Sequence, residues 1–116
     1  MSNKTNLKIN KELRGDICII KLNGSLNAYS SPEFEEELKK CINETPKIIL
    51  DLKELEYISS IGLGVIIGYL EEIREKGGDI KIYIENNPVI KEIFEITGFP
   101  KIMSFFENLE DAIQSF

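Results

Sequence analysis

The chain has 116 residues, a formal net charge of −6 and no histidine. So acidic a sequence lacks the basic patch that phosphate neutralisation needs, which argues against nucleic-acid binding and makes a partner with a basic surface the easier fit. With 42% apolar and 29% charged residues, it reads as one folded domain over 1–116, and no apolar run approaches the roughly 20 residues of a membrane-spanning helix.

The start of the chain, Met1 to Asn6, is polar and has no signal-peptide core, and the expected location is the cytoplasm. Leu7 and Ile9 alternate with polar residues, and Asp16 to Leu22 is rich in isoleucine with Gly15 before it and Gly24 after. This pattern predicts two strands joined by a short turn. Ser31-Pro32 then supplies a capping residue and a proline at the first helical position, and Phe34, Leu38, Cys41 and Ile42 recur at helical spacing up to a stop near Thr45-Pro46. Lys47 to Leu52 reads as a buried strand with Ile48, Leu50 and Leu52 on one face.

From Ser60 a second helix carries Leu63, Ile66, Ile67, Leu70, Ile73 and Arg74 on one stripe, and Gly77-Gly78 stops it. Asp79 to Glu85 alternates, with Ile80, Ile82 and Ile84 on one face. Strand, helix, strand in this order predicts parallel neighbours. Asn87-Pro88 opens a third helix, with Val89, Ile90, Ile93, Phe94 and Ile96 facing inward and Gly98 at its end. Lys101 to Phe106 predicts a short edge strand, and a last helix covers about Asn108 to Ser115. The two cysteines, Cys18 and Cys41, lie far apart with no metal-ligand spacing and read as buried free thiols.

The chemistry concentrates at Tyr57-Ile58-Ser59-Ser60-Ile61-Gly62-Leu63-Gly64, where an extended segment turns into a helix. A hydroxyl at Ser60 has two readings. It can cap the first amides, or carry a phosphate that sits against the same amides and the positive end of the dipole. A serine nucleophile normally needs a neighbouring base, and without histidine none is evident. Gly62, Gly64 and Gly68, with Glu85 beyond, form a weak dinucleotide fingerprint: the third glycine comes one residue late, and about ten residues separate Leu52 from Gly62 where a tight turn is required. Each glycine costs its helix about 1 kcal/mol against alanine, so close approach by a core strand or by a partner protein is the reason for them.

The run Ser59-Ser60-Ile61-Gly62-Leu63-Gly64-Val65-Ile66, preceded by Ile48-Ile49-Leu50-Asp51-Leu52, resembles the signature of the STAS-domain anti-sigma factor antagonists of bacteria. Gly24-Ser25-Leu26-Asn27 with the helix from Ser31 resembles that family's second strand and first helix, and Val89 to Gly98 with Leu109 to Ile113 resembles its C-terminal half. The resemblance spans almost the whole chain. It implies an α/β STAS fold, a small mixed sheet of about four or five strands with about four helices packed on it.

For function, the resemblance implies that Ser60, with Ser59 as the alternative, accepts a phosphate from a partner that is both anti-sigma factor and serine kinase. The unphosphorylated chain would bind that partner through Asn27, Ser59, Ile61, Gly62, Leu63 and Gly64 and so free a sigma factor. A metal-dependent serine phosphatase would reverse the modification. Neither catalysis, cofactor nor metal in this chain is implied. Ser59 and Asn27 stand where aspartate is common in the family, and Ile61 where serine or threonine is common. The alternatives are a constitutive STAS interaction module without the switch and a small nucleotide-binding protein.

Overall fold

The computed structural model describes residues 6–116. Strand β1 (Leu7–Arg14) pairs antiparallel with β2 (Ile17–Leu26). Gly15, at φ 62°, forms the two-residue turn between them. Helix α1 (Ser31–Glu44) leads to β3 (Lys47–Ile58), which runs parallel to β2. Helix α2 (Ser60–Glu75) returns the chain to β4 (Asp79–Tyr83), parallel to β3. Helix α3 (Pro88–Ile96), a 3-10 turn (Phe99–Lys101), β5 (Phe105–Phe106) and α4 (Leu109–Gln114) complete the chain. The sheet has five strands in the order β1-β2-β3-β4-β5, antiparallel at β1 and parallel from β2 onward.

Alternation divides the strands between two cores. Ile20, Leu22, Leu50, Leu52, Ile80 and Ile82 pack beneath Phe34, Leu38, Ile66, Leu70 and Phe94 of α1, α2 and α3. On the reverse face Ile17, Ile19, Ile49 and Tyr83 pack against Ala112 of α4. Both faces of β3 are thus covered over Ile48–Leu50, which is why that run is apolar without a break. Full burial of a leucine or isoleucine contributes about 1.5–3 kcal/mol, so this doubly covered strand is the anchor of the sheet.

The structure differs from the sequence reading at several boundaries. Gly24 does not end the second strand; it lies inside β2 at φ 118°, where a Cβ would sit 1.7 Å from the Asn6 carbonyl oxygen. Ser31 is not the cap of α1, because the Asn27 carbonyl accepts from its amide at 2.8 Å and draws it into the helix, leaving Ser30 as the flanking residue. The strand expected to stop at Leu52 continues to Ile58 through an irregularity between the Lys21 and Asn23 pairings. Val89 and Ile96 do not face inward: they are 62% and 76% exposed, while Ile90 and Phe94 fill the core. A helix of nine residues packed on the sheet by one narrow face leaves the flanks of its apolar stripe in solvent. The edge strand is limited to Phe105 and Phe106, since Phe99 to Lys101 form the 3-10 turn.

Candidate functional site

The C-terminal ends of β2 and β3 lie side by side, with Leu26 opposite Ile58 in parallel register. The Ser59 amide donates to the Leu26 carbonyl at 2.8 Å, so the first residue after β3 is held against the last residue of β2. This end of a parallel strand pair, outside the carboxyl termini, is where open α/β sheets place binding sites.

Ser59 is extended (φ −90°, ψ 169°) and serves as the N-cap of α2. Its Oγ accepts from the Gly62 amide at 3.2 Å, and its carbonyl accepts from the Leu63 amide at 3.0 Å. The capping role expected for Ser60 therefore belongs to Ser59. Ser60 is the first residue of the helix and is exposed. Its own amide and that of Ile61 have no acceptor among the described residues. With no acidic residue in the first turn of α2, the dipole end is free to receive negative charge.

The glycines separate into two kinds. Gly62 is buried, and a Cβ on it would stand 2.8 and 2.9 Å from Cγ and Cδ2 of Leu26 and 3.2 Å from Ile58 Cγ1. Close approach of the core explains Gly62. Gly64 and Gly68 are exposed, and a Cβ on either would meet nothing within 4 Å. Because β3 reaches Ile58, only Ser59 lies between strand and helix; the long gap that counted against a dinucleotide fingerprint is absent, although the late third glycine remains.

Asn27 orders the turn beside Ser59. Its Oδ1 accepts from the amides of Tyr29 at 2.9 Å and Ser30 at 3.0 Å, while Ser30 Oγ donates to the Ser25 carbonyl at 2.8 Å. Asn27, Ser59, Ser60, Ile61 and Gly62 are thus gathered at one end of the sheet; Leu63 is half-buried and Gly64 lies in the open. The sequence reading gave Tyr29 and Tyr57 no part in partner binding, yet with Ile61 they expose 71%, 50% and 52% of their surfaces at this end. An aromatic residue in a turn, and another at an outward position of a strand, were the available signals.

A second polar arrangement fixes the approach of β3 to the site. The Asn87 amide group donates to the Leu55 carbonyl at 2.7 Å and the Leu52 carbonyl at 3.1 Å, while its Oδ1 accepts from the Ile90 amide at 3.3 Å and caps α3. Within the same irregular stretch Asp51 Oδ1 accepts from the Lys53 amide at 3.1 Å. Burial pushes the Asp51 carboxyl above its ordinary range, and the hydrogen bond from Lys53 only partly opposes this.

A five-stranded mixed sheet with a serine-initiated helix after its third strand defines the STAS class, and the STAS domain model matches residues 8–112. The chain belongs to the STAS-domain family of anti-sigma factor antagonists. It is 31% identical over 110 residues to the anti-sigma F factor antagonist of Paenibacillus polymyxa, covering 93% of each chain. An anti-sigma factor antagonist from Mycobacterium paratuberculosis has the same fold, with a TM-score of 0.87 over 99% of this chain and 97% of that one at 18% identity. So does the Bacillus cell fate determinant SpoIIAA in its phosphorylated form, with a TM-score of 0.69 over 94% of this chain and 100% of that one at 18% identity.

Proposed function

We propose that this protein is a phosphorylation-controlled antagonist of an anti-sigma factor. Unphosphorylated, it binds an anti-sigma factor that is also a serine kinase, and so releases a sigma factor; phosphorylation of Ser60 ends the binding, and a metal-dependent serine phosphatase restores it. The observation that carries this reading is the division of work between the adjacent serines. Ser59 spends its oxygen on the cap at the Gly62 amide, whereas Ser60 is exposed one residue into the helix.

The physical consequences follow from that placement. A phosphoserine adds about −1.5 to −2 charges. On Ser60 this charge lies beside the unpaired amides of Ser60 and Ile61, so the helix tolerates it. A partner packed over Ile61, Gly64 and the Tyr29–Tyr57 surface would have to strip water from it, and desolvating an unpaired charge is costly. The phosphate thus breaks the complex while the domain stays folded. The relative from Paenibacillus polymyxa bears the name of an anti-sigma F factor antagonist, which supports an anti-sigma factor as the partner here.

Incubation with the cognate kinase and ATP should add one phosphate that Ser60→Ala abolishes and Ser59→Ala retains. A phosphate that persists in Ser60→Ala would move the acceptor elsewhere.

A further inference from the structure

Cys18 and Cys41 lie 23 positions apart in sequence, yet their sulfur atoms are 2.6 Å apart in the core between β2 and α1. Both are free thiols and both are buried. A disulfide bond spans about 2.05 Å, so the two sulfurs face one another with little left to close. A crevice of about 280 Å³, lined by Lys11, Glu12, Leu13, Cys18 and Glu44, reaches Cys18 from the β1 edge. Cys41 does not line it and is fully enclosed.

Access, not charge, separates the two thiols. The Lys11 ammonium, held by Glu37 of α1 at 3.0 Å, favours the thiolate of either cysteine, and Glu44 opposes it. The thiol at the mouth of the crevice is therefore the one that peroxide reaches first, and the enclosed one is placed to resolve it.

We infer that Cys18 and Cys41 form a peroxide-sensitive dithiol that closes to an intramolecular disulfide, with Cys18 oxidised first and Cys41 resolving. The Cys18 thiolate takes one peroxide oxygen, the O–O bond breaks and hydroxide leaves, giving a sulfenic acid. Cys41 sulfur then attacks Cys18 sulfur; the S–O bond breaks, and the Cys41 proton leaves with that hydroxide as water. The first hydroxide takes up the proton that Cys18 lost on ionising, so the thiols give up two electrons and peroxide is reduced to two waters. The resulting ring encloses the Asn27–Ser31 turn that borders the phosphate site, but the chemistry is independent of the phosphate.

The test treats the full chain with hydrogen peroxide, unfolds it in an alkylating reagent and maps the peptides by mass spectrometry. The expected result is a linked Cys18–Cys41 peptide lacking two hydrogens, no alkylation at either residue, reversal by dithiothreitol, and a thermal midpoint several degrees higher when oxidised. Dimedone should label Cys18 in Cys41→Ser and leave Cys41 unlabelled in Cys18→Ser. Two alkylated thiols after peroxide, a cross-link between chains, or a lowered midpoint would overturn the dithiol. Equal dimedone labelling of both variants would overturn the order of attack.

Discussion

Two neighbouring hydroxyls at the start of α2 meet different fates because one is tied to the sheet. The Ser59 amide is spent on Leu26 and its Oγ on Gly62, so Ser59 ends the strand and caps the helix. Ser59→Ala should cost about 1 kcal/mol through the lost cap. Ser60→Ala, at an exposed position, should shift stability by no more than about 0.5 kcal/mol. Denaturant titration of both variants decides which serine is the cap, and a larger loss for Ser60→Ala would reverse the assignment. Asp51 carries a pH signature of its own. Its carboxyl is raised by burial from an ordinary value of 3.8, so its contribution to stability is fully present below that value and is lost as pH rises through the higher folded one. Asp51→Asn keeps an acceptor for the Lys53 amide and cannot ionise. The variant should therefore gain on the parent protein as pH rises from below 3.8, and parallel stability curves across the acid range would show that Asp51 is not desolvated.

At the scale of elements, the legible features were the ones written locally. Pro32, Pro88, Asn87 and Asn108 mark helix starts because capping and fixed φ are properties of single residues, and all lie at or next to observed starts. Paired serines defeat that reading: in Ser30-Ser31 and Ser59-Ser60 the choice between neighbours is made by the amides of Ser31 and Ser59 donating to the carbonyls of Asn27 and Leu26, acceptors that capping propensity does not record. The second half of β3 was obscured for a similar reason. Its irregularity breaks the alternation, and the loosened carbonyls of Leu52 and Leu55 are claimed by Asn87, more than thirty residues away. This clamp predicts that Asn87→Ala costs about 2 kcal/mol or more, since cap and buried carbonyls lose their partner together. Asn87→Asp should be at least as harmful although aspartate is a good cap, because its oxygens would face those carbonyls. Thermal melts that rank Asn87→Asp near the parent would reduce Asn87 to a simple cap.

The glycines of α2 can be sorted by the same kind of comparison. Gly62→Ala drives a methyl into Leu26, which is fully buried and has nowhere to swing, so overpacking of about 1–3 kcal/mol outweighs the helical gain. Gly64→Ala meets nothing and should raise stability by up to about 1 kcal/mol. If a partner lies against Gly64, the stabilised variant will bind it more weakly, a separation of stability from affinity that calorimetry and titration would read together. The sequence pattern could not distinguish the two glycines, because helical spacing records the direction of a residue and not the distance to what it faces.

Over the whole molecule, the division into a well-covered core and one apolar, serine-bearing end would let the proposed switch operate without refolding. Three helices bury one face of the sheet and α4 the other, leaving the ends of β2 and β3 with Tyr29, Tyr57 and Ile61 in solvent. An exposed apolar cluster beside a free helix start suits a surface that is buried by a partner and refused to it by a single phosphate. Legibility at this scale was high: the order of strands and helices follows from periodicity and punctuation, whereas the surface did not, since exposed Tyr29 and Tyr57 leave no periodic trace.

In the proposed switch, Ser60 carries the phosphate that releases the partner. Phosphosite mapping by tandem mass spectrometry, after reaction with the anti-sigma kinase and ATP, addresses it most directly, with binding to the same kinase measured before and after. A single phosphate on Ser60, absent from Ser60→Ala and accompanied by loss of binding, is the predicted result. A phosphate on Ser59 or elsewhere, or a Ser60-phosphorylated protein that binds as tightly as before, would contradict it.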